Sequence, residues 1–111
     1  MNNIEKKEAV CPVDYAFRRI GGKYKGRIIW YIQLRGGVLR YGELKKMLED
    51  ISAKMLTQTL RELEEDHLII RKVYAEVPPK VEYSLTPTGL ELIPFIDHLA
   101  KWGADQMGKS K

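Results

Sequence analysis

Five side chains in one short stretch, Ser52, Lys54, Thr57, Gln58 and Arg61, are of the types that hydrogen-bond phosphates and base edges. Gln and Arg are the two with bidentate options, for adenine and guanine respectively. Leu56, Leu60 and Leu63 recur among them at i, i+4 and i+7, which fixes a buried stripe on the opposite side of a helix. Ser52 is a natural N-cap, so the helix is expected over residues 52–66. Its charge is graded: Lys54 lies near the start, whereas Glu62, Glu64, Glu65 and Asp66 crowd the last turn. That acid run opposes the helix macrodipole, but it suits a helix that enters a major groove by its N-terminal end. An ordinary helix pair in a core would carry the same apolar stripe, so the surrounding elements have to decide.

A second candidate for chemistry is Cys11, which sits where the N-cap of a first helix belongs, with Pro12 at N1. A thiol facing the unpaired N–H groups of a first turn is favoured as a nucleophile toward quinones, hydroperoxides or disulfides. The plain alternative is a half-buried small hydrophobe. As the chain's one cysteine, it excludes an internal disulfide framework and a Cys-based metal cluster within one chain. His67 and His98 are isolated and have no ligand spacing; each reads as a surface or half-buried helix residue. Paired carboxylates, a nucleophile motif and a Gly-rich phosphate loop are all missing. No catalytic residue, no metal site and no cofactor is therefore expected, and the chain does not read as an enzyme.

The elements that must position these residues follow from periodicity. Residues 42–48 form a short helix with Leu44, Met47 and Leu48 inward, and residues 49–51 break it just before Ser52. Upstream, a first helix has Val13, Phe17 and Ile20 as its inward positions and ends at Gly21-Gly22. A second runs over residues 25–34; Ile28, Ile29, Trp30 and Ile32 make it so apolar that it should be the central core helix. Gly36-Gly37 closes it, and Val38, Leu39 and Arg40 suit a short strand. After residue 66 the period changes from about 3.6 to 2. Ile70, Lys72 and Tyr74 alternate with Arg71, Val73 and Ala75, and Val81, Tyr83 and Leu85 with Lys80, Glu82 and Ser84. This is a β-hairpin over about residues 69–85, with its tip at residues 76–79, where Pro78 and Pro79 remove edge donors. Such a hairpin directly after a groove-reading helix is a wing, and Arg40, Arg71, Lys72 and Lys80 would contact DNA beside it.

Thr86 and Pro87 start a last helix, about residues 87–106, which Pro94 should kink or divide. Leu92, Phe95, Ile96, Leu99 and Trp102 form a broader apolar stripe than one small domain needs, so Phe95, Leu99 and Trp102 are expected at a two-fold interface shared with the first helix.

The 111 residues make one domain, residues 11–111, behind a polar arm at residues 1–10. Hydrophobic content of 44% and charged content of 31% describe a soluble globular chain. No apolar run approaches a membrane span and the polar start lacks a signal-peptide core, so a cytoplasmic protein without membrane association is expected. Net charge is only +4, but between Arg18 and Met47 nine Lys and Arg face a single acid, Glu43. A positive surface flanking the candidate helix would supply sequence-independent attraction to phosphate.

CPVDYAFRRIGGKYKGRIIWYI, RYGELKKML, ISAKMLTQTLRELEEDHLI and VPPKVEYSLTPTGLELIPFIDHLAKWG together resemble the HxlR-type transcription regulators, a winged-helix group related to the MarR type. The resemblance spans nearly the whole chain, and ISAKMLTQTLREL and PPKVEYSLT are its most specific pieces. It implies a mainly α (α+β) fold, a winged helix-turn-helix with a C-terminal dimerisation helix. It also implies a homodimeric bacterial regulator that binds double-stranded operator DNA through the helix after Ser52 and the wing around Pro78-Pro79. Some members of that group sense electrophiles or oxidants through a cysteine near the N-terminus, where this chain has Cys11. Here a switch would take the form of a small-molecule adduct or a bond between the Cys11 residues of two protomers. Two other readings compete: a winged-helix protein–protein interaction module, and a regulator controlled by a small ligand in the dimer groove.

Overall fold

The computed structural model describes residues 11–109; the arm expected at residues 1–10 lies outside them. In chain order the elements are α1 (Pro12–Ile20), α2 (Lys25–Leu34), β1 (Val38–Arg40), α3 (Tyr41–Met47), α4 (Ala53–Glu65), β2 (Ile69–Tyr74), β3 (Lys80–Leu85), α5 (Pro87–Leu90) and α6 (Ile93–Lys109). The three strands form one antiparallel sheet in the order β1-β3-β2. This is the winged helix-turn-helix that the sequence implied.

The hub is α2, whose Ile28, Ile29 and Ile32 have no exposed surface. Around them pack Leu39 of β1, Leu44 and Leu48 at α3, Leu56, Leu60 and Leu63 of α4, Tyr83 of β3 and Ile96 of α6. Each such side chain contributes about 1.5–3 kcal/mol by leaving water. Trp30 is half-buried rather than core: it packs on the cluster and its indole N–H donates to Asp97 of α6 at 3.2 Å. At the end of α2, Gly36 and Gly37 have φ of 91° and 101°, a left-handed turn that other residues adopt at a cost.

Two expectations are corrected. Val13 and Phe17 do not face the core of their own chain; they are 62% and 53% exposed, and only Ile20 of α1 is buried. The helix meets α2 through its last turn, so among the described residues Val13 is left exposed and Phe17 lies at the edge of a groove rather than in the core. His67 is not a helix residue. It follows the C-cap Asp66 with φ 61°, and its N–H donates to the Glu64 carbonyl at 3.0 Å while the Leu68 N–H donates to the Leu63 carbonyl at 3.0 Å. This is a Schellman ending with a histidine where glycine is usual.

The expected last helix is divided, with a break at Glu91 and Leu92 and with Pro94 in the first turn of α6, where its missing N–H is no loss. Inward positions of α6 are Ile93 and Ile96; Phe95, Leu99 and Trp102 stand exposed.

Thr86 joins these parts. Its hydroxyl donates to the His67 carbonyl at 2.6 Å and accepts from the Gly89 N–H at 2.9 Å, while its own N–H donates to the Leu68 carbonyl at 3.1 Å. Gly89 lies so close to the Leu68 carbonyl that a Cβ there would collide with it. The exit of α4, the end of the hairpin and the start of α5 are thus tied at one point.

Two substitutions test this junction by thermal or urea unfolding at one fixed protein concentration. Thr86→Val keeps the shape and removes both hydroxyl bonds, for an expected loss of about 1–2 kcal/mol. His67→Gly relieves the left-handed conformation and should add up to about 1 kcal/mol. Neutral behaviour of Thr86→Val would show the junction to be incidental.

Candidate nucleic-acid interface

The helix pair α3–α4 is built from its caps and its turn. The Glu43 carboxylate accepts from the Arg40 N–H at 2.8 Å at the start of α3. The Ser52 hydroxyl accepts from the Met55 N–H at 3.0 Å at the start of α4, as its N-cap position requires. Between them, Asp50 takes Lys23 at 2.9 Å and Arg27 at 3.6 Å, and its carbonyl accepts from the Tyr24 hydroxyl at 3.3 Å. The Lys23 ammonium bonded to it, followed by Arg27, holds the Asp50 carboxyl below the usual carboxylate range. The residues just before and at the start of α2 therefore fix the turn of the pair.

On α4 the buried side is Leu56, Thr59, Leu60 and Leu63, and Thr59 satisfies its hydroxyl on the Met55 carbonyl at 2.7 Å. Ser52, Lys54, Thr57, Gln58 and Arg61 are all exposed and frame one shallow depression together with Met55. Lys54 and Arg61 make no hydrogen bond or ion pair among the described residues. Thr57 and Gln58 are engaged. The Tyr41 hydroxyl lies 3.2 Å from the Ala53 carbonyl, to which it donates, and 3.3 Å from the Thr57 hydroxyl, which is then the donor in that second bond. Gln58 donates its amide to Glu62 at 3.0 Å, and Lys25 of α2 binds the other Glu62 oxygen at 3.1 Å. The Gln58 amide and then the Lys25 ammonium lower the Glu62 pKa. Tyr41 and Glu62 were not among the sequence-derived site residues. Glu62 was read only as a member of an acidic run, and nothing local to Tyr41 announces a contact sixteen positions along the chain.

The strand register sorts the wing. Arg71 pairs with Tyr83 and shares the inner face of the sheet, where it lines a cleft of about 430 Å³ with Tyr41, Thr57, Arg61 and Glu64. Lys72 pairs with Glu82, which also pairs with Arg40, and Tyr74 pairs with Lys80; these five share the outer face. The structure thus brings Arg71 together with the exposed side of α4 and groups Arg40, Lys72 and Lys80 apart from it. Lys80 is held 3.7 Å from Glu76 and 3.9 Å from Glu82 and lies 4.2 Å from the centre of the Tyr74 ring. Tyr74 in turn donates to Glu82 at 2.9 Å, and Lys72 stands 4.9 Å over the same ring. The Val77–Pro78 peptide at the tip is cis. The wing is less basic than its composition suggested.

The same holds for the basic run between Arg18 and Met47. Arg18 pairs with Asp14 at 2.8 Å, Lys23 and Arg27 with Asp50, and Lys25 with Glu62. Arg40, Lys45 and Lys46 carry no ion pair among the described residues.

An apolar groove of about 620 Å³ runs between α1, α2 and α6, lined by Phe17, Ile20, Trp30, Ile96, Leu99 and Met107. Cys11 is exposed at the N-cap of α1, its sulfur accepting from the Asp14 N–H at 3.4 Å. Among the described residues no three His, Cys, Asp or Glu side chains are grouped to hold a metal ion, and no helix is long and apolar enough to cross a membrane.

Comparison with known proteins agrees with this geometry. Residues 19–111 match the model of the HxlR-like helix-turn-helix family. The uncharacterized HTH-type transcriptional regulator YdeP of Bacillus subtilis strain 168 is 48% identical over 93 residues, covering 84% of this chain and 71% of its own. The redox regulator HypR superposes in its oxidised form with a TM-score of 0.81 at 42% identity, covering 86% of this chain and 96% of its own. A MarR-family chain of Porphyromonas gingivalis W83 superposes with a TM-score of 0.76 at 45% identity, over 85% of this chain and 90% of that one. These relatives and fold neighbours are transcriptional regulators, not enzymes. The chain belongs to the HxlR-like helix-turn-helix family and is a transcriptional regulator of the helix-turn-helix type.

Proposed function

We propose that this regulator is a cytoplasmic homodimer that binds double-stranded operator DNA sequence-specifically, with α4 in the major groove and the β2–β3 hairpin as the wing. The observation that carries the reading is the exposed side of α4: a capped, rigid helix presenting Lys54, Gln58 and Arg61 to solvent, with Arg71 standing beside it on the wing. Gln58 and Arg61, with Thr57, contact base edges; Ser52, Lys54 and Arg71 contact phosphate. Arg40 and Lys72 add phosphate contacts from the outer face of the wing. Lys80 joins them only when Glu76 and Glu82 release it.

The partner subunit covers the apolar groove between α1 and α6 together with Val13, Phe17, Phe95, Leu99 and Trp102, which are exposed among the described residues. Cys11, exposed at the cap of α1, is placed to react with an oxidant or electrophile and to pass the change to that interface. The name of HypR, a redox regulator of the same fold, supports this part of the reading.

The DNA reading is tested on duplexes selected from a randomised pool by the purified protein. Gln58→Ala or Arg61→Ala should cost about 1–3 kcal/mol on the selected duplex and erase preference at one base pair per half-site. Lys54→Ala and Arg71→Ala should weaken all duplexes evenly and lower the slope of log affinity against log salt by about one unit each. Lys80→Ala should change that slope by less. Uniform weakening by Gln58→Ala or Arg61→Ala, or an unchanged slope for Lys54→Ala and Arg71→Ala, would count against the assignment.

For the dimer, Leu99→Ala with Trp102→Ala should sediment as a folded monomer that keeps non-specific DNA binding and loses the selected site; a dimeric double variant would place the interface elsewhere. For the thiol, diamide should abolish binding by the wild type and spare Cys11→Ser. Equal loss in both would remove Cys11 from the mechanism.

A further inference from the structure

The chain Lys25–Glu62–Gln58 crosses from the core helix α2 to the exposed side of α4, and its end is a side chain that the proposed DNA reading assigns to a base. The Gln58 Nε2 donates to Glu62 Oε2 at 3.0 Å, and Lys25 Nζ binds Glu62 Oε1 at 3.1 Å. A glutamine amide is nearly symmetric in shape and can turn over to offer either its carbonyl oxygen or its NH₂ group. An ionised carboxylate only accepts, so with Glu62 beside it the amide has to present its NH₂ group inward. What remains for an incoming partner is the carbonyl oxygen and one N–H.

The geometry points to Glu62 as a positioning residue for specificity: it holds the Gln58 amide so that Gln58 selects an amino base, adenine or cytosine, and rejects a keto base, guanine or thymine. The inference rests on the reading of α4 as the groove-reading helix. In the major groove adenine N6 and cytosine N4 donate hydrogen bonds, whereas guanine O6 and thymine O4 accept them. A fixed carbonyl oxygen meets the first pair with a bond and the second with lone-pair repulsion. The spare N–H can also reach adenine N7, which ranks adenine first.

Glu62 is more than a neighbour one turn along the same helix. An exposed pair at that spacing is soft, worth a few tenths of a kcal/mol in an isolated helix. Here the second carboxylate oxygen is anchored by a lysine from another helix whose side chain is only 18% exposed. The same two neighbours keep Glu62 ionised below the usual carboxylate range, so it stays acceptor-only at physiological pH.

The experiment is the selection of duplexes from a pool with a randomised central segment, carried out with full-length wild type, Gln58→Ala, Glu62→Gln and Glu62→Ala. Loss of preference in Gln58→Ala identifies the base pair that Gln58 faces. At that pair the wild type should enrich adenine or cytosine on one strand. Glu62→Gln, the same size but able to donate as well as accept, should admit the keto bases there and reduce discrimination on the order of tenfold while leaving other positions unchanged. Glu62→Ala should do the same and also raise affinity for every duplex, since a carboxylate leaves the neighbourhood of phosphate. A merely structural role for Glu62 would alter stability or overall affinity but not the profile at that one position. Enrichment of guanine or thymine by the wild type, or unaltered profiles in both Glu62 variants, would overturn the inference and leave Gln58 as a base reader. An unaltered profile in Gln58→Ala would instead overturn the reading of Gln58 itself, and the inference with it.

Discussion

The burial of one helix governs the arrangement of the rest. Ile28, Ile29 and Ile32 of α2 are completely enclosed, and β1, α3, α4, β3 and α6 each send apolar side chains to the cluster around them. The polar start of the same helix then does a second job. Lys23, Tyr24 and Arg27 gather on Asp50 in the turn between α3 and α4, and Lys25 reaches Glu62 on α4 itself. Hydrophobic burial is non-directional and would tolerate some rotation of α4 about its own axis. The ion pairs and hydrogen bonds from α2 resist that rotation and fix which side chains of α4 face outward.

The far end of α4 is fixed by a different device. A helix that ends in a left-handed residue reverses the chain within two positions, and His67 does so here despite its Cβ. Thr86 closes the arrangement from the other end of the hairpin by bonding the His67 and Leu68 carbonyls. Leu68 and Ile69 are consequently buried directly after the helix, and Arg71 emerges on the inner face of the sheet opposite Thr57 and Arg61. The spacing between helix and wing is therefore set by backbone hydrogen bonds and the Thr86 hydroxyl, away from the side chains that line the cleft.

How much of this the sequence disclosed depended on whether the signal was local. The stripe Leu56, Leu60, Leu63, the Ser52 and Thr86 caps and the alternation of the hairpin are short-range patterns, and each appears where periodicity put it. Periodicity states which side of a helix is apolar but not which neighbour covers it, and so Val13 and Phe17 were assigned to a core they do not reach. Charge was misread for a related reason. Lys80 counts as basic in composition, but the register sets Glu82 and Tyr74 beside it, and pairing is a tertiary fact. Tyr41 on Thr57 and Lys25 on Glu62 join residues far apart in the chain, and no spacing rule reaches them. His67 was hidden because left-handed ends usually declare themselves by glycine.

The ion pairs bear on how a regulator of this kind divides its affinity. Attraction to DNA through phosphate is proportional to the cations that displace counterions, and it is blind to sequence. Of the basic residues between Arg18 and Met47, four are held by Asp14, Asp50 or Glu62 before any DNA arrives, and on the wing Lys80 is held by Glu76 and Glu82. Releasing Lys23, Lys25 and Arg27 would cost the folded protein contacts that orient α4, and releasing Lys80 would cost contacts within the wing. They are thus poor phosphate ligands, in spite of their number. On the proposed reading the non-specific term is carried by cations without an acid partner, Lys54, Arg71, Arg40 and Lys72 among them. The same reading leaves the choice among sequences to a few groove contacts on α4, because discrimination is the difference between specific and non-specific binding and not the strength of either. On that reading the Lys25–Glu62 pair both orients α4 and withholds a cation from phosphate, so one contact serves both ends.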